Sequence, residues 1–317
     1  MQGFLVRRLL LLVPTLFLAS VVIFAIITLA PGDPVRMMLG TQATPGEIAQ
    51  ERTRLGLDKP VPVRYVIWMT HVSRLDLGRS QVNNQPVAAL VLQAFPNTLR
   101  LTVGALAISV LVGFAFGIVA ALRQNRPADL VLTGLASLGL AVPSFWLGIL
   151  LILLFSVTLR WLPPSGVGES GTPALEGLKY LVMPVITIAV SNLSVFSRFV
   201  RTAMLDVLTA HYIRTARAKG LGERVVVVRH ALRNALIPVV TILGIQFGRL
   251  LGGALITEAV FAYPGIGRLV VTSILNRDYP MVQATLMLVV LIFLAANTIV
   301  DISYAFLDPR VKMGDAR

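Results

Sequence analysis

The sequence predicts an all-α membrane protein with six transmembrane helices, and three observations carry the prediction. Hydrophobic residues make up 56% of the 317 and charged residues only 14%, against about 45–50% and about 25% in soluble domains, and the mean hydropathy is +0.80. Six apolar runs reach the roughly 20 helical residues that a bilayer core requires. Basic residues crowd into alternate connections between those runs, the pattern of a chain that crosses a membrane repeatedly.

The runs are Leu9–Ala30, Thr98–Leu122, Leu130–Thr158, Tyr180–Ser197, Ile237–Glu258 and Met281–Phe306. The first follows Arg7 and Arg8, which raises a cleaved signal peptide. Its 22 apolar residues exceed the roughly 7–15 of a signal core, and Pro31 stands where a small-residue cleavage site belongs, so the run is read as a retained helix. In the connection 31–97, Glu47–Leu55 is expected to form a helix stopped by Gly56, and Pro62 opens a second patterned stretch with Tyr65 and Trp68. Those aromatic residues suit either an interface belt or a dock for an external partner. Val87–Phe95 reads as a short amphipathic helix leading to Pro96 and the second span. The fourth run is the shortest, and its Pro184, Ser191, Asn192 and Ser194 suit a helix facing protein or water.

Six crossings place 1–8, 123–129, 198–236 and 307–317 in one compartment and 31–97, 159–179 and 259–280 in the other. The first set holds 15 Lys and Arg in 65 residues, the second 11 in 110, so both termini are expected in the cytoplasm. The chain divides into an N-terminal helix (1–30), an external region (31–95), a transmembrane core (96–306) with a cytoplasmic loop at 198–236, and a cytoplasmic tail (307–317). The net charge of +13 would suggest nucleic acid in a soluble protein. Here cytoplasmic loops account for it, the aromatic-interleaved basic stripe of a single-strand binder is missing, and no nucleic-acid partner is expected.

Chemistry has little to work with. With no cysteine, disulfides, thiolate nucleophiles and Cys-ligated metals are excluded. His71, His211 and His230 lack metal-ligand spacing, and neither H-E-x-x-H, G-x-S-x-G nor a phosphate-binding G-x-x-x-x-G-K-[ST] occurs. No catalytic, cofactor or metal residues are expected, and the energy for any active transport must arrive from elsewhere. Gly113 and Gly117, and Gly244, Gly248 and Gly252, recur every four residues and allow another helix to approach closely, either within the chain or across a subunit contact. Polar groups inside the spans are few: Asn192, Gln246, Arg249, Asn297 and Asp301, with Asp301 read as the one intramembrane carboxylate. An ion relay wants a connected series of such groups. Asn192, Gln246 and Arg249 are the candidates for lining a path, with structural pairing the alternative for Arg249.

The segment Arg198–Pro238 carries eight bases before Ile237, with Asp206 and Glu223 its only acids. Thr209 is expected to cap a helix running to Lys219, closed by Gly220. A second helix follows Gly222 up to Asn234, although the β-branched run Val225–Val228 alone argues strand. A basic projection of this kind suits anionic headgroups or a soluble partner.

The pattern YIRTARAKGLGE…VRHALRNALIP within this segment resembles the cytoplasmic signature loop of bacterial ABC-importer permeases, specifically the first permease of dipeptide, oligopeptide and nickel uptake systems. Further matches are LAPGDP (Leu29–Pro34), LGLDKP (Leu55–Pro60), LDLGRS (Leu75–Ser80), VPSFWLG (Val142–Gly148), VFAYPGIGRL (Val260–Leu269), RDYP (Arg277–Pro280) and LDPRVK (Leu307–Lys312). The general signature reads Glu-Ala-Ala, three residues, then Gly. Here Arg214 and Thr215 stand at the first two positions, Ala216 and Gly220 match, and Arg233 replaces a proline thirteen residues on.

The resemblance implies a type I importer permease fold and a transport subunit rather than an enzyme. It implies that Tyr212, Ile213, Arg214, Thr215, Ala216, Arg217, Ala218, Lys219 and Gly220 form the helix that couples to a separate ATPase. It also turns Pro264, Gly265, Ile266 and Gly267, a plain external turn by composition, into a candidate outer gate bordered by Arg268 and Asp278. The implied partners are a second, related permease forming a heterodimer, two ATPases that carry ATP and Mg, an external substrate-binding protein and membrane lipid. Peptides are the expected substrate, with nickel, glutathione and haem as family alternatives. An ion-coupled secondary transporter is the rival from another class, but it would want inverted repeats and intramembrane carboxylates.

Overall fold

The computed structural model describes residues 2–29, 35, 39, 43–54, 56–168 and 173–307. Beyond their first residues, LAPGDP and LDPRVK lie outside these, as does the rest of the 307–317 tail. The side chains of Gly244, Gly248, Arg249 and Asp301 are also outside the description.

Helix α1 (Gln2–Leu29) contains the first apolar run as far as Leu29. The expected helix in the following connection is present as α2 (Pro45–Arg54), and the second patterned stretch is α3 (Val61–Ser73). A reciprocal cap starts α2 two residues earlier than expected: the Glu47 N–H donates to the Thr44 hydroxyl (3.3 Å), and the Thr44 N–H donates to the Glu47 carboxylate (2.8 Å). Gly56 follows at φ 65°.

Helix α4 (Val87–Leu122) corrects the expected break at Pro96, which lies inside one continuous 36-residue helix. Its buried stripe runs unbroken through Val87, Val91, Ala94, Thr98, Leu101 and Ala105. Packing on both sides of the proline therefore outweighs one missing backbone hydrogen bond. The third run is corrected in the opposite sense. It divides into α5 (Pro127–Ala141) and α6 (Ser144–Leu151), continued by a π-helical stretch Ile152–Thr158, and the two arms meet at 102°. Pro143 disfavours helical geometry at the residue before it, and Val142 is accordingly extended (φ −81°, ψ 121°).

Helix α7 (Ala174–Leu208) exceeds the fourth run at both ends. It turns into α8 (His211–Ala218), from which Glu223–Val225 and a π-helical stretch Val226–Leu232 lead directly into α9 (Arg233–Val260). The β-branched run is helical because Val226 and Val227 are buried in the core beneath α8. Helices α10 (Ile266–Leu275) and α11 (Tyr279–Leu307) complete the described chain. Among the described residues α1, α4, α7 and α11 are long and apolar enough to cross a membrane, and the bent α5–α6 pair makes up to five. The fifth run lies in α9, which has 28 residues.

Helix α7 occupies the centre, packed by α4, α5, α6 and α9. At Gly113 an added Cβ would stand 2.9 Å from the Phe196 Cβ, and at Gly117 2.6 Å from the Val200 Cβ and 2.7 Å from the Ser197 carbonyl oxygen. The α4 glycines therefore serve packing within the chain. Gly139 of α5 likewise lies against Ser194 and Val190 of α7. Because the Gly117 neighbours include backbone, Gly117→Ala should lower stability by about 1–3 kcal/mol, measured as a lower unfolding temperature in detergent. Gly134→Ala should not, since nothing lies within 4 Å of its Cβ position.

Candidate functional site

The basic elbow at α8 is built from the end of α7 outward. Thr209 does not cap α8: it still has helical backbone as the last residue of α7's turn, and its hydroxyl donates back to the Asp206 carbonyl (2.9 Å). Ala210, extended at φ −65° and ψ 147°, takes the N-cap position without a side-chain bond. The other end closes as expected. Gly220 adopts φ 77°, its N–H donates to the Arg217 carbonyl (2.9 Å), and the Leu221 N–H reaches the Ala216 carbonyl (3.4 Å), the paired bonds of a Schellman motif.

One face of α8 is plugged into the bundle. Ile213 and Ala216, three residues apart, are buried with Phe196, Val200 and Met204 of α7 and with Val226, Ala231 and Ala235. Two polar ties flank this plug. The Asn234 side-chain amide donates to the Tyr212 hydroxyl (3.0 Å), and Arg217 grips Glu223 through two bonds (2.6 and 3.1 Å). The Arg217 guanidinium holds the Glu223 carboxyl below its ordinary pKa. Both side chains are substantially exposed, so this pair orients the elbow more than it stabilises it. Arg217 therefore has an acid of its own, while Arg214 and Lys219 are exposed and have no ion pair among the described residues. Thr215 and Ala218 share that outer face.

An ion pair between a buried acid and a half-buried arginine, not anticipated from the sequence, braces the same end of the bundle. Arg201 of α7 donates twice to Asp129 of α5 (2.7 and 2.8 Å), and Asp129 also accepts the Asn125 N–H and the Thr133 hydroxyl. The carboxylate is 2% exposed, and its four bonds offset the cost of removing it from water. Bases and acids 72 residues apart carry no local pairing signal.

At the opposite end, the turn between α9 and α10 holds Pro264, Gly265, Ile266 and Gly267. Glu258, fully buried inside α9, accepts the backbone N–H of Gly267 (2.6 Å) and of Arg268 (3.3 Å). It sits at the positive end of α10, where a carboxylate is favoured. Glu258, the last residue of the fifth apolar run, lies two residues before the end of α9 rather than beyond it. An added Cβ at Gly265 would strike the Glu258 carboxylate, and at Gly267 the Leu255 backbone. The Thr98 hydroxyl accepts the Ile266 N–H (2.8 Å), and Asn97 donates to the Pro264 carbonyl (2.9 Å), fastening the turn to α4.

Motifs distant in the chain meet around this turn. Ser80 of LDLGRS donates to Asp278 of RDYP, whose other oxygen accepts the Gln81 N–H (3.1 Å). The Gly148 Cβ position of VPSFWLG lies 3.1 Å from the Phe261 ring. Midway along the bundle, Gln246 donates to Asn192 (3.1 Å), and Asn192 donates to the Ile188 carbonyl (3.0 Å), both amides being buried. The structure thus pairs two of the three candidate lining residues with each other.

Removing the Glu258 carboxylate leaves two N–H groups at the start of α10 without acceptors. Glu258→Ala should speed hydrogen exchange at the Gly267 and Arg268 amides by about tenfold or more, matching a loss of about 1–3 kcal/mol. Amides of α8, at the far end, should be unchanged.

Residues 113–313 match the family of binding-protein-dependent transport system inner membrane components, and residues 1–102 match its N-terminal companion family. The chain is 43% identical to the glutathione transport system permease protein GsiC of Salmonella typhimurium over 312 residues, covering 98% of this chain and 99% of that one. It is 41% identical to GsiC of Escherichia coli K12 over the same coverage. Among solved structures, an inward-facing MetNI methionine ABC transporter aligns with TM-score 0.59 at 18% identity, over 71% of this chain and 99% of that one. An amino acid ABC transporter aligns with TM-score 0.53 at 16% identity, over 69% and 94%. Those two likenesses concern the fold alone. By its sequence along nearly its whole length, the chain belongs to the binding-protein-dependent inner membrane components, the permease subunits of ABC importers, and is a multi-pass transport subunit, not an enzyme.

Proposed function

We propose that this permease forms one half of the translocation path of a peptide importer and receives its driving force through α8. The observation that carries the reading is the outer face of α8: a helix anchored by Ile213 and Ala216 and presenting Arg214, Thr215, Ala218 and Lys219 outward. Small Ala218 permits close approach, Arg214 and Lys219 match acids around a groove, and Gly220 returns the chain sharply toward the bundle. Two ATPase subunits carry ATP and Mg, a second related permease completes a heterodimer, and an external binding protein delivers substrate. The charge distribution supports both termini and α8 lying in the cytoplasm.

A partner shifts an equilibrium only through contacts that differ between states. Closure of the ATPases on ATP pulls the α8 elbows together and turns the bundle from inward- to outward-facing. The plug at Ile213 passes that movement to α7 and α9, because both contribute to the same buried cluster. At the far end, Pro264–Gly267 and α10 form the outer gate, and the Asn192–Gln246 pair lies beside the path, with Arg249 the third lining candidate by sequence alone. The substrate is a small peptide. The GsiC relatives, named for glutathione transport, make that tripeptide the first to test.

Nothing lies within 4 Å of a Cβ built at Gly220, so a side chain there points away from the fold. Gly220→Asp should leave membrane insertion intact and abolish co-purification of the ATPase. Gly222→Ala, equally open but with ordinary backbone at φ −60°, should retain it. Full ATPase coupling in the Gly220→Asp transporter would refute the role of α8.

A further inference from the structure

At the end of the bundle that carries α10, the last turn of α1 meets α3 and the first turn of α11 around an open cavity of about 730 Å³. Arg52, Arg54, Lys59 and Arg64 line it, with Trp68 and Tyr279, and no acid lines it among the described residues. Arg54 is engaged by Glu51 (2.5 Å). Lys59 and Arg64 have no ion pair among the described residues. Lys59 and Arg64, lining the same concavity, give it a positive potential that favours an anion.

The depth of the cavity indicates which anion. Its inner wall includes Phe24, Ile27 and Thr28, in the last turns of an apolar span that ends at Leu29, and Pro280 and Gln283, at the start of a span that begins at Tyr279. The cavity therefore lies where two membrane-spanning stretches end, the level of phospholipid headgroups, and Trp68 and Tyr279 are the residue types that collect there. Bases above apolar walls match a phosphate above its acyl chains, whereas a soluble anion has no use for the wall at Phe24 and Ile27.

We propose that this cavity binds the headgroup of an anionic phospholipid, its phosphate held by Lys59 and Arg64 and its glycerol region lying against α1 and α11. The site is connected to the turn described above. Gln81 lines the cavity and its N–H donates to Asp278 (3.1 Å), and Tyr279 and Pro280 follow Asp278 directly. A bound headgroup thus braces the Ser80–Gln85 turn against α11. This proposal does not rest on the coupling role of α8.

The test uses the purified full-length chain with Trp146→Phe and Trp161→Phe, leaving Trp68 as the sole tryptophan. Its fluorescence is followed during titration with phosphatidylglycerol, phosphatidylcholine or inorganic phosphate in non-ionic detergent. A saturable change is expected with phosphatidylglycerol alone. Lys59→Ala with Arg64→Ala should weaken it roughly 30-fold, from the loss of two headgroup-level bases, with helical content by circular dichroism unchanged. Lys59→Arg with Arg64→Lys, which preserves both charges, should retain binding. An equal response to phosphatidylcholine, or an undiminished phosphatidylglycerol affinity in the alanine pair, would overturn the site. So would loss of binding in the charge-preserving pair, or a saturable response to phosphate alone, which would assign the cavity to a soluble anion.

Discussion

The close approach of α4 to α7 at Gly113 and Gly117 is the contact on which the rest of the molecule depends. In lipid no hydrophobic force drives helices together, so van der Waals contact and interhelical hydrogen bonds must do so. Two missing side chains let α4 lie against the α7 backbone at Leu193 and Ser197. That contact positions Phe196 and Val200, and with Met204 they form the pocket that receives Ile213 of α8. The α8 elbow is thus held by a helix whose own place is set by glycines in another.

Many buried hydroxyls of this apolar bundle bond back to their own helix, but three contacts of buried polar groups sit where two elements meet. Asp129 and Arg201 join α5 to α7, Asn192 and Gln246 join α7 to α9, and Glu258 joins α9 to α10. Burying such groups is expensive unless they are paired, and the pairing has directional geometry that packing lacks. These ties hold α10 to the end of α9, and the arm that begins at α5 to α7.

The α8 elbow was largely legible because its signals are local. A positive-φ glycine, a short amphipathic pattern and a run of bases lie within a dozen residues, and the likeness to permease loops rests on the same stretch. Its start was not legible, since Thr209 and Ala210 differ only in which one the end of α7 still claims. Nor was the occupation of Arg217 by Glu223, which requires Gly220 to have turned the chain back. Glu258 was hidden because a carboxylate at the edge of an apolar run looks like the end of the span, and only the position of α10 shows that it is enclosed.

The sequence by itself determined the membrane class, the approximate runs and the helices α2 and α8, which follow from composition, periodicity or short-range capping, and it carried the family through the likeness of its motifs to permease loops. Tertiary structure alone decided that α4 runs on through Pro96 while the third run folds sharply at Pro143. It also decided that Ser80 meets Asp278 across 198 residues. For the two prolines the physical reason is the same. A proline removes one backbone bond wherever it stands, and whether the helix survives depends on the packing of the surrounding residues, which no local window contains.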